Sequence, residues 1–229
     1  MFISLEGVEG SGKSTQATRL TARLRAAGRR VRQTREPGGT PFADAVRALL
    51  LHPEAAQSAL GAAGLTPAAG PDNEAVEAVL PATELLLLAA ARAQHVPRIR
   101  AWLAAGEVVI SDRYADATRA YQGYGRDLAS ANITTIEHLA TGGLRPDITL
   151  LLDVPAEEGY RRKWAAHAAG GEWNRLDGEA IGFHERVRAG YLALAAAEPE
   201  RWTVLDATVP VDDLAEALWA AVAPRLAPA

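Results

Sequence analysis

Residues 5–16 read LEGVEGSGKSTQ, overlapping the short apolar run MFISL that precedes them. Three glycines and two serines surround one lysine where a first β-strand should end. Such a stretch packs no core; it suits a phosphate cradle. It matches G-x-x-x-x-G-K-[ST] at Gly7, Gly12, Lys13 and Ser14. Glycines let successive backbone N–H groups curl inward toward phosphate oxygens. A helix opening at Ser14 adds the positive end of its dipole. Lys13 then reaches the β- and γ-phosphates, and the Ser14 hydroxyl is placed for Mg²⁺. The bland alternative is a Gly-rich turn, but the position between a strand and a helix is the context the motif requires.

The chain has 229 residues, enough for one large domain with a full core, so a single domain over 1–229 is expected. A net charge of -4 argues against a nucleic-acid coat or a polybasic membrane binder. The absence of cysteine removes disulfides and thiolate metal sites and fits a reducing compartment. MFISLEG lacks the basic and long apolar regions of a signal peptide. The longest apolar run, 85–91, is far short of the roughly 20 residues that cross a bilayer. A soluble, cytoplasmic protein is the expectation.

Five apolar runs read as buried strands: MFISLEG, VRQT from Val31, VVIS from Val108, ITLLLDV from Ile148 and WTVLDA from Trp202. Helical spacing over 14–27 and 84–105 lies between them. Strands alternating with helices imply an α/β fold, a parallel sheet with helices on both faces. Ligands bind at the carboxyl edge of such sheets. The stretch 54–81 is rich in Ala, Gly and Pro and buries little, so it reads as a partly flexible surface excursion. A second soft stretch, HAAGGEWN from His167, follows the basic run YRRKW.

Further motifs carry charge to the sheet edge. TREPGGT, 34–40, is a tight loop entered by Arg35 and Glu36, with Arg47 beyond it; these arginines are either ligands or solvated turn residues. In SDRYADATRAYQG, a strand ends at Asp112 with Arg113 adjacent. There Asp112 can orient Mg²⁺ waters or the neighbouring Arg113, and Arg113 can clamp a phosphoryl group; a structural ion pair is the alternative. Arg92 stands beside a leucine stripe, where a snorkelling side chain is the commoner reading. Arg161, Arg162, Lys163 and Arg175 flank the second soft stretch; such a cluster is either a solvated face or a lid over a phosphate donor, about 159–178.

EGVEGSGKST, REPGGT, LLLLAAARAQHV, DRYADATRAYQG, RPDITLLLDV and FHERVRAGY occur in this order. Together they resemble bacterial thymidylate kinase, a P-loop nucleoside monophosphate kinase family, over nearly the whole chain except 54–81. The resemblance implies transfer of the ATP γ-phosphoryl group to dTMP with Mg²⁺, on a five-stranded P-loop kinase core that is usually homodimeric. It implies that Gly7, Val8, Glu9, Gly10, Ser11, Gly12, Lys13, Ser14 and Thr15 hold ATP and its metal, with Asp206 and Ala207 near the adenine. Glu9 would reach the acceptor's 3′-hydroxyl. Arg35, Glu36, Arg47 and Arg113 would form the dTMP phosphate end; Arg92, Thr118 and Gln122 would read thymine; Tyr121 would pack beneath the deoxyribose and exclude a ribose 2′-hydroxyl. Some members carry an Arg inside the loop, where this chain has Gly10. The lid should then supply the catalytic cations, Arg162 and Arg175, alongside Lys13, Arg113 and Asp112.

The chain departs from the family pattern at Leu88, where Phe usually stacks on the base, a loss of about 1 kcal/mol. It also carries Ala117 where a hydroxyl is common, and a longer lid. Another nucleoside monophosphate or deoxynucleoside kinase is the competing enzyme reading. A slow nucleotide-hydrolysing switch is the non-enzyme-like alternative; no [NT]-K-x-D guanine-reading motif supports it.

Overall fold

The computed structural model describes residues 1–64 and 78–226. Its five strands are β1 (Phe2–Glu6), β2 (Val31–Arg35), β3 (Val108–Asp112), β4 (Ile148–Asp153) and β5 (Trp202–Asp206). They form one parallel sheet in the order β2-β3-β1-β4-β5. All five coincide with the runs read from the sequence; β1, β3 and β4 are covered on both faces and so lose their polar alternation, whereas the edge strands β2 and β5 keep exposed positions. The period-2 pleat still sorts them. Phe2 and Val109 pack with Val96 and Ile99 on one face, whereas Ile3, Leu5 and Ile110 join the larger core with Leu20, Leu24, Val187 and Tyr191.

Helix α1 (Lys13–Ala26) starts directly after the loop, with Gly12 at its N-cap at φ 90°, a left-handed conformation that favours glycine. Helix α2 (Pro41–Leu51) is capped by Thr40, whose hydroxyl accepts from Ala43 N–H at 3.1 Å. Helix α3 (Pro53–Ala62) forms the first part of the stretch expected to be a surface excursion; residues 65–77 of that stretch lie outside the described residues. Helix α4 (Pro81–Ala104) is long and places Glu84, Leu88 and Arg92 four residues apart, hence on one face.

The chain then turns through the short helix α5 (Ala115–Thr118) into a wide π-helical turn, Arg119–Gly125. Such widened turns often mark functional sites. Helices α6 (Ser130–Thr141), α7 (Ala156–Ala168), α8 (Ile181–Ala197) and α9 (Val211–Val222) complete the layers. Among the described residues no helix is long and apolar enough to cross a membrane.

Candidate active site

A cleft of about 500 Å³ opens over the carboxyl ends of β1, β2 and β3. The phosphate-loop motif supplies Glu9, Gly10, Gly12, Lys13, Ser14 and Thr15 to its lining. Lys13 is folded back: its ammonium donates to the carbonyls of Gly7 at 3.1 Å and Val8 at 2.8 Å and to Ser11 Oγ at 3.2 Å. Burial, then the nearby Arg113 guanidinium, lower its pKa to about 8. Ser14 Oγ donates to Asp112 Oδ2 at 2.5 Å. The strand-end carboxylate therefore faces the loop hydroxyl; it is not hydrogen-bonded to the adjacent Arg113. A hydroxyl and a carboxylate are hard oxygen donors that fit Mg²⁺ when substrate phosphates and water supply the rest. Among the described residues no group of three or more His, Cys, Asp or Glu forms a denser metal cage.

Arg113 has φ 69°, a left-handed conformation that costs about 1 kcal/mol or more for a non-glycine residue. Its N–H donates to Leu5 O at 2.9 Å. Its Nη1 donates to Gly7 O at 2.9 Å and Tyr191 Oη at 3.0 Å; its Nη2 donates to Glu9 Oε1 at 2.9 Å and Tyr121 Oη at 2.8 Å. The Tyr121 hydroxyl in turn donates to the Glu9 carboxylate at 2.6 Å. Burial alone would push the Glu9 carboxyl up, but Arg113, His184, Lys13 and Tyr121 hold it well below the usual carboxylate range. Deeper in the sheet, Tyr191 Oη donates to Glu6 Oε2 at 2.9 Å, and Tyr114 N–H and Ser4 Oγ each donate to Glu6 Oε1 at 2.7 Å. Burial, then Asp116, push the Glu6 carboxyl up to about 7.

At another part of the lining, Arg92 is not a snorkelling residue. It is 3% exposed and its Nε donates to Glu36 Oε2 at 2.7 Å, while Nη2 donates to Tyr114 O at 3.2 Å. Glu36 Oε1 also accepts from His95 Nδ1 at 3.0 Å. Gln122 donates its amide to Glu84 Oε1 at 2.5 Å. Because a carboxylate only accepts, this bond fixes which end of the Gln122 amide is oxygen. Arg92 Nη1, Thr118 Oγ1 and Gln122 Oε1 are buried without a protein partner, and all three residues line the cleft with Leu88, Ala117 and Tyr121.

Arg35 and Arg47 line the side nearest α2. Arg35 lies 3.8 Å from Asp44, and Arg47 lies 3.6 Å from Glu172 of the second soft stretch. That stretch is fastened across α2, since Glu172 also meets His52 Nε2 at 3.1 Å and Arg175 N–H donates to Leu51 O at 3.1 Å. An edge-to-face ring contact between Trp164 and Trp173, with centroids 5.4 Å apart, closes it onto α7.

Helix α7 approaches the phosphate loop closely. A Cβ on Gly10 would stand 2.0 Å from the Gly159 carbonyl oxygen, and one on Gly159 would stand 2.4 Å from the Glu9 carbonyl oxygen. Arg162 and Lys163 line the cleft from this helix. Arg162 Nη1 donates to the Ala207 carbonyl at 2.8 Å, and Lys163 Nζ lies 3.2 Å from Asp177 Oδ2.

Several predicted residues stand back from the lining. Arg175 is not in it; the side chain pairs with Glu84 and donates from Nε to Leu50 O at 3.1 Å. Gly7, Val8 and Ser11 serve the loop's interior through Lys13. Asp206 and Ala207 are not in the lining either; Asp206 accepts from Thr208 N–H at 2.8 Å. Sequence reasoning missed Asp177, Asn174, Glu172 and Tyr114, which do line the cleft, and His184, which touches Glu9. Only FHERVRAGY hinted at the last, without a role.

The thymidylate kinase family model matches residues 5–70 and 73–218. The chain belongs to the thymidylate kinase family. Among its members, the thymidylate kinase of Thermomicrobium roseum is 47% identical over 222 residues, covering 96% of this chain and 93% of that protein. That of Syntrophotalea carbinolica is 46% identical over 221 residues, 95% and 93% of the two chains. That of Solidesulfovibrio magneticus is 47% identical over 226 residues, 97% and 98%. The family membership agrees with the five-stranded parallel sheet and its phosphate loop, both anticipated from the sequence.

Proposed function

We propose that the chain transfers the γ-phosphoryl group of ATP to dTMP, giving dTDP and ADP. Near-full-length similarity to thymidylate kinases supports this reading. The observation that carries it to the base is the unpartnered polar atoms of Arg92, Thr118 and Gln122, residues that line the cleft. An acceptor at Gln122 Oε1 suits the N3–H of thymine, and a donor at Arg92 Nη1 suits its O4. Cytosine presents the reverse pattern at both positions, so each contact would leave a buried group unpaired, which costs about 1–3 kcal/mol. Leu88 offers apolar contact to the base in place of an aromatic ring.

Two polyanions must meet in line, so the protein's task is positioning and charge neutralisation. Lys13 and the loop N–H groups hold the donor phosphates. Arg35 and Arg47 take the acceptor phosphate, Arg113 anchors Glu9 beside it, and Glu9 addresses the sugar hydroxyl over Tyr121. Arg162, with Lys163, brings cations from the lid, a role in which Arg175 supports the lid's seat through Glu84 and Leu50. Mg²⁺ at Ser14 and Asp112 would neutralise phosphate charge. One domain over 1–229, a homodimer and a cytoplasmic setting complete the reading on the family resemblance.

The test is an ADP-release assay with ATP, Mg²⁺ and a panel of dTMP, dUMP, ribo-TMP, AMP, GMP, CMP and thymidine. Turnover dominated by dTMP is the expected result. Preference for another monophosphate, or hydrolysis independent of acceptor, would refute the base assignment.

A further inference from the structure

Beside Glu9 lies a small cavity of about 10 Å³ lined by Val8, Glu9, Ala156, Tyr160, Lys163, Asp177 and His184; Glu9, Lys163 and Asp177 also line the main cleft. Two of its residues hold buried polar atoms without protein partners, His184 Nε2 and Asp177 Oδ1. Both residues are otherwise committed. His184 Nδ1 lies 3.3 Å from Glu9 Oε2, and because a carboxylate only accepts, Nδ1 must carry the proton and donate. Asp177 Oδ2 accepts from Asn174 N–H at 2.8 Å and lies 3.2 Å from Lys163 Nζ. The side chains of His184 and Asp177 are 4% and 0% exposed, so bulk solvent does not satisfy the two free atoms.

In the tautomer that carries its proton on Nδ1, Nε2 is an acceptor. Asp177 Oδ1 is an acceptor as well. Two acceptors on residues that line one cavity call for a species with two donor protons, and the cavity is about the size of one water. Water fits both requirements, with the Lys163 ammonium also on the cavity wall. We propose that His184 is a positioning residue for Glu9, and that a single buried water joins its Nε2 to Asp177 Oδ1, tying the Glu9 carboxylate to the lid through Asp177 and Lys163. The Glu9 carboxylate is then held from two sides. Arg113, just past β3, and Tyr121, in the π-helical turn, fix it on one side; His184 fixes it from α8 and reports whether the lid segment is seated. This rests on the assignment of Glu9 to the acceptor side of the dTMP reaction.

The distinguishing experiment is a double-mutant cycle on the full chain, using His184→Asn, His184→Ala and Asp177→Asn, read in both kcat for dTMP and urea unfolding. His184→Ala removes both contacts; kcat should fall at least about tenfold while the dTMP KM moves less than about threefold. His184→Asn keeps a donor near the Nδ1 position and should recover most of the Glu9 contribution. Asp177→Asn should lower kcat in the native background yet change it by less than about twofold when His184 is already Asn. Independent, multiplying effects of His184→Asn and Asp177→Asn, or an Asn variant as impaired as the Ala variant, would overturn the proposal. The unfolding cycle needs no substrate, so it tests the His184–Asp177 link even if the protein turned over no dTMP. Failure of the native chain on dTMP would instead count against the functional reading.

Discussion

Arg113 combines a left-handed backbone with four side-chain hydrogen bonds to Gly7, Glu9, Tyr121 and Tyr191. It is the counter-charge that keeps a buried Glu9 ionised, so Arg113→Ala should do two things. It should lower kcat and raise the acceptor KM, and it should destabilise the fold by about 3–5 kcal/mol, the usual result of stranding one partner of a buried pair. Urea unfolding checks the second; an effect confined to the ATP KM would contradict the first. Lys13 presents the opposite balance. Its ammonium is buried among loop carbonyls with a pKa lowered to about 8, burial being the main cause. Lys13→Ala relieves that burial while removing the charge proposed to meet the donor phosphates. The expected outcome is a loss of orders of magnitude in kcat with a melting temperature within a few degrees of the native chain. Retained activity would remove Lys13 from the phosphate site.

At the scale of elements, contact between α7 and the phosphate loop is set by two missing side chains. Gly159→Ala would place a methyl group 2.4 Å from the Glu9 carbonyl oxygen, a backbone atom that cannot swing aside. The helix must move outward, carrying Arg162 and Lys163 away from the cleft. We expect a destabilisation of about 1–3 kcal/mol, as for other overpacking changes, together with at least a tenfold fall in kcat/KM for ATP. Unfolding midpoints and steady-state kinetics would show whether both occur. These contacts explain what the sequence disclosed and what it hid. The central strands β1, β3 and β4 were legible because doubly covered strands are unbroken apolar runs, and the loop was legible because its residue spacing is local. Arg92 misled as a lone charge beside leucines, since its partner Glu36 is 56 positions away. The grip of His184 on Glu9 joins residues 175 positions apart and leaves no local pattern. The start of the 54–81 stretch forms α3 because Pro53 and Glu54 suit a helix N-terminus, a local signal outweighed by its Ala/Gly/Pro composition.

For the whole molecule, the sheet order brings β1 between β3 and β4, and so buries Glu6 where its charge is costly. Its carboxyl rises from the ordinary 4.5 to about 7, through burial and then Asp116. The folded chain thus binds a proton that the unfolded chain has released, and stability falls as pH rises from about 4.5 to about 7. Over the whole interval the effect is on the order of 3 kcal/mol. Glu137 and Asp177, also raised mainly by burial, tilt the curve the same way. The lowered Glu9 carboxyl acts at more acidic pH, its stabilisation being complete above 4.5. Melting temperatures should therefore decline from pH 5 to pH 7.5, with a shallower decline in Glu6→Gln; an equal slope in both would exclude Glu6 as the source. The contact of Gly10 with Gly159 bears on more than stability. A side chain at position 10 would run into the backbone of α7, the helix that carries Arg162 and Lys163. An arginine at position 10 would meet α7 before it met phosphate. Gly10→Arg should accordingly fail to rescue Arg162→Ala. While α7 keeps its place, position 10 admits no residue larger than glycine.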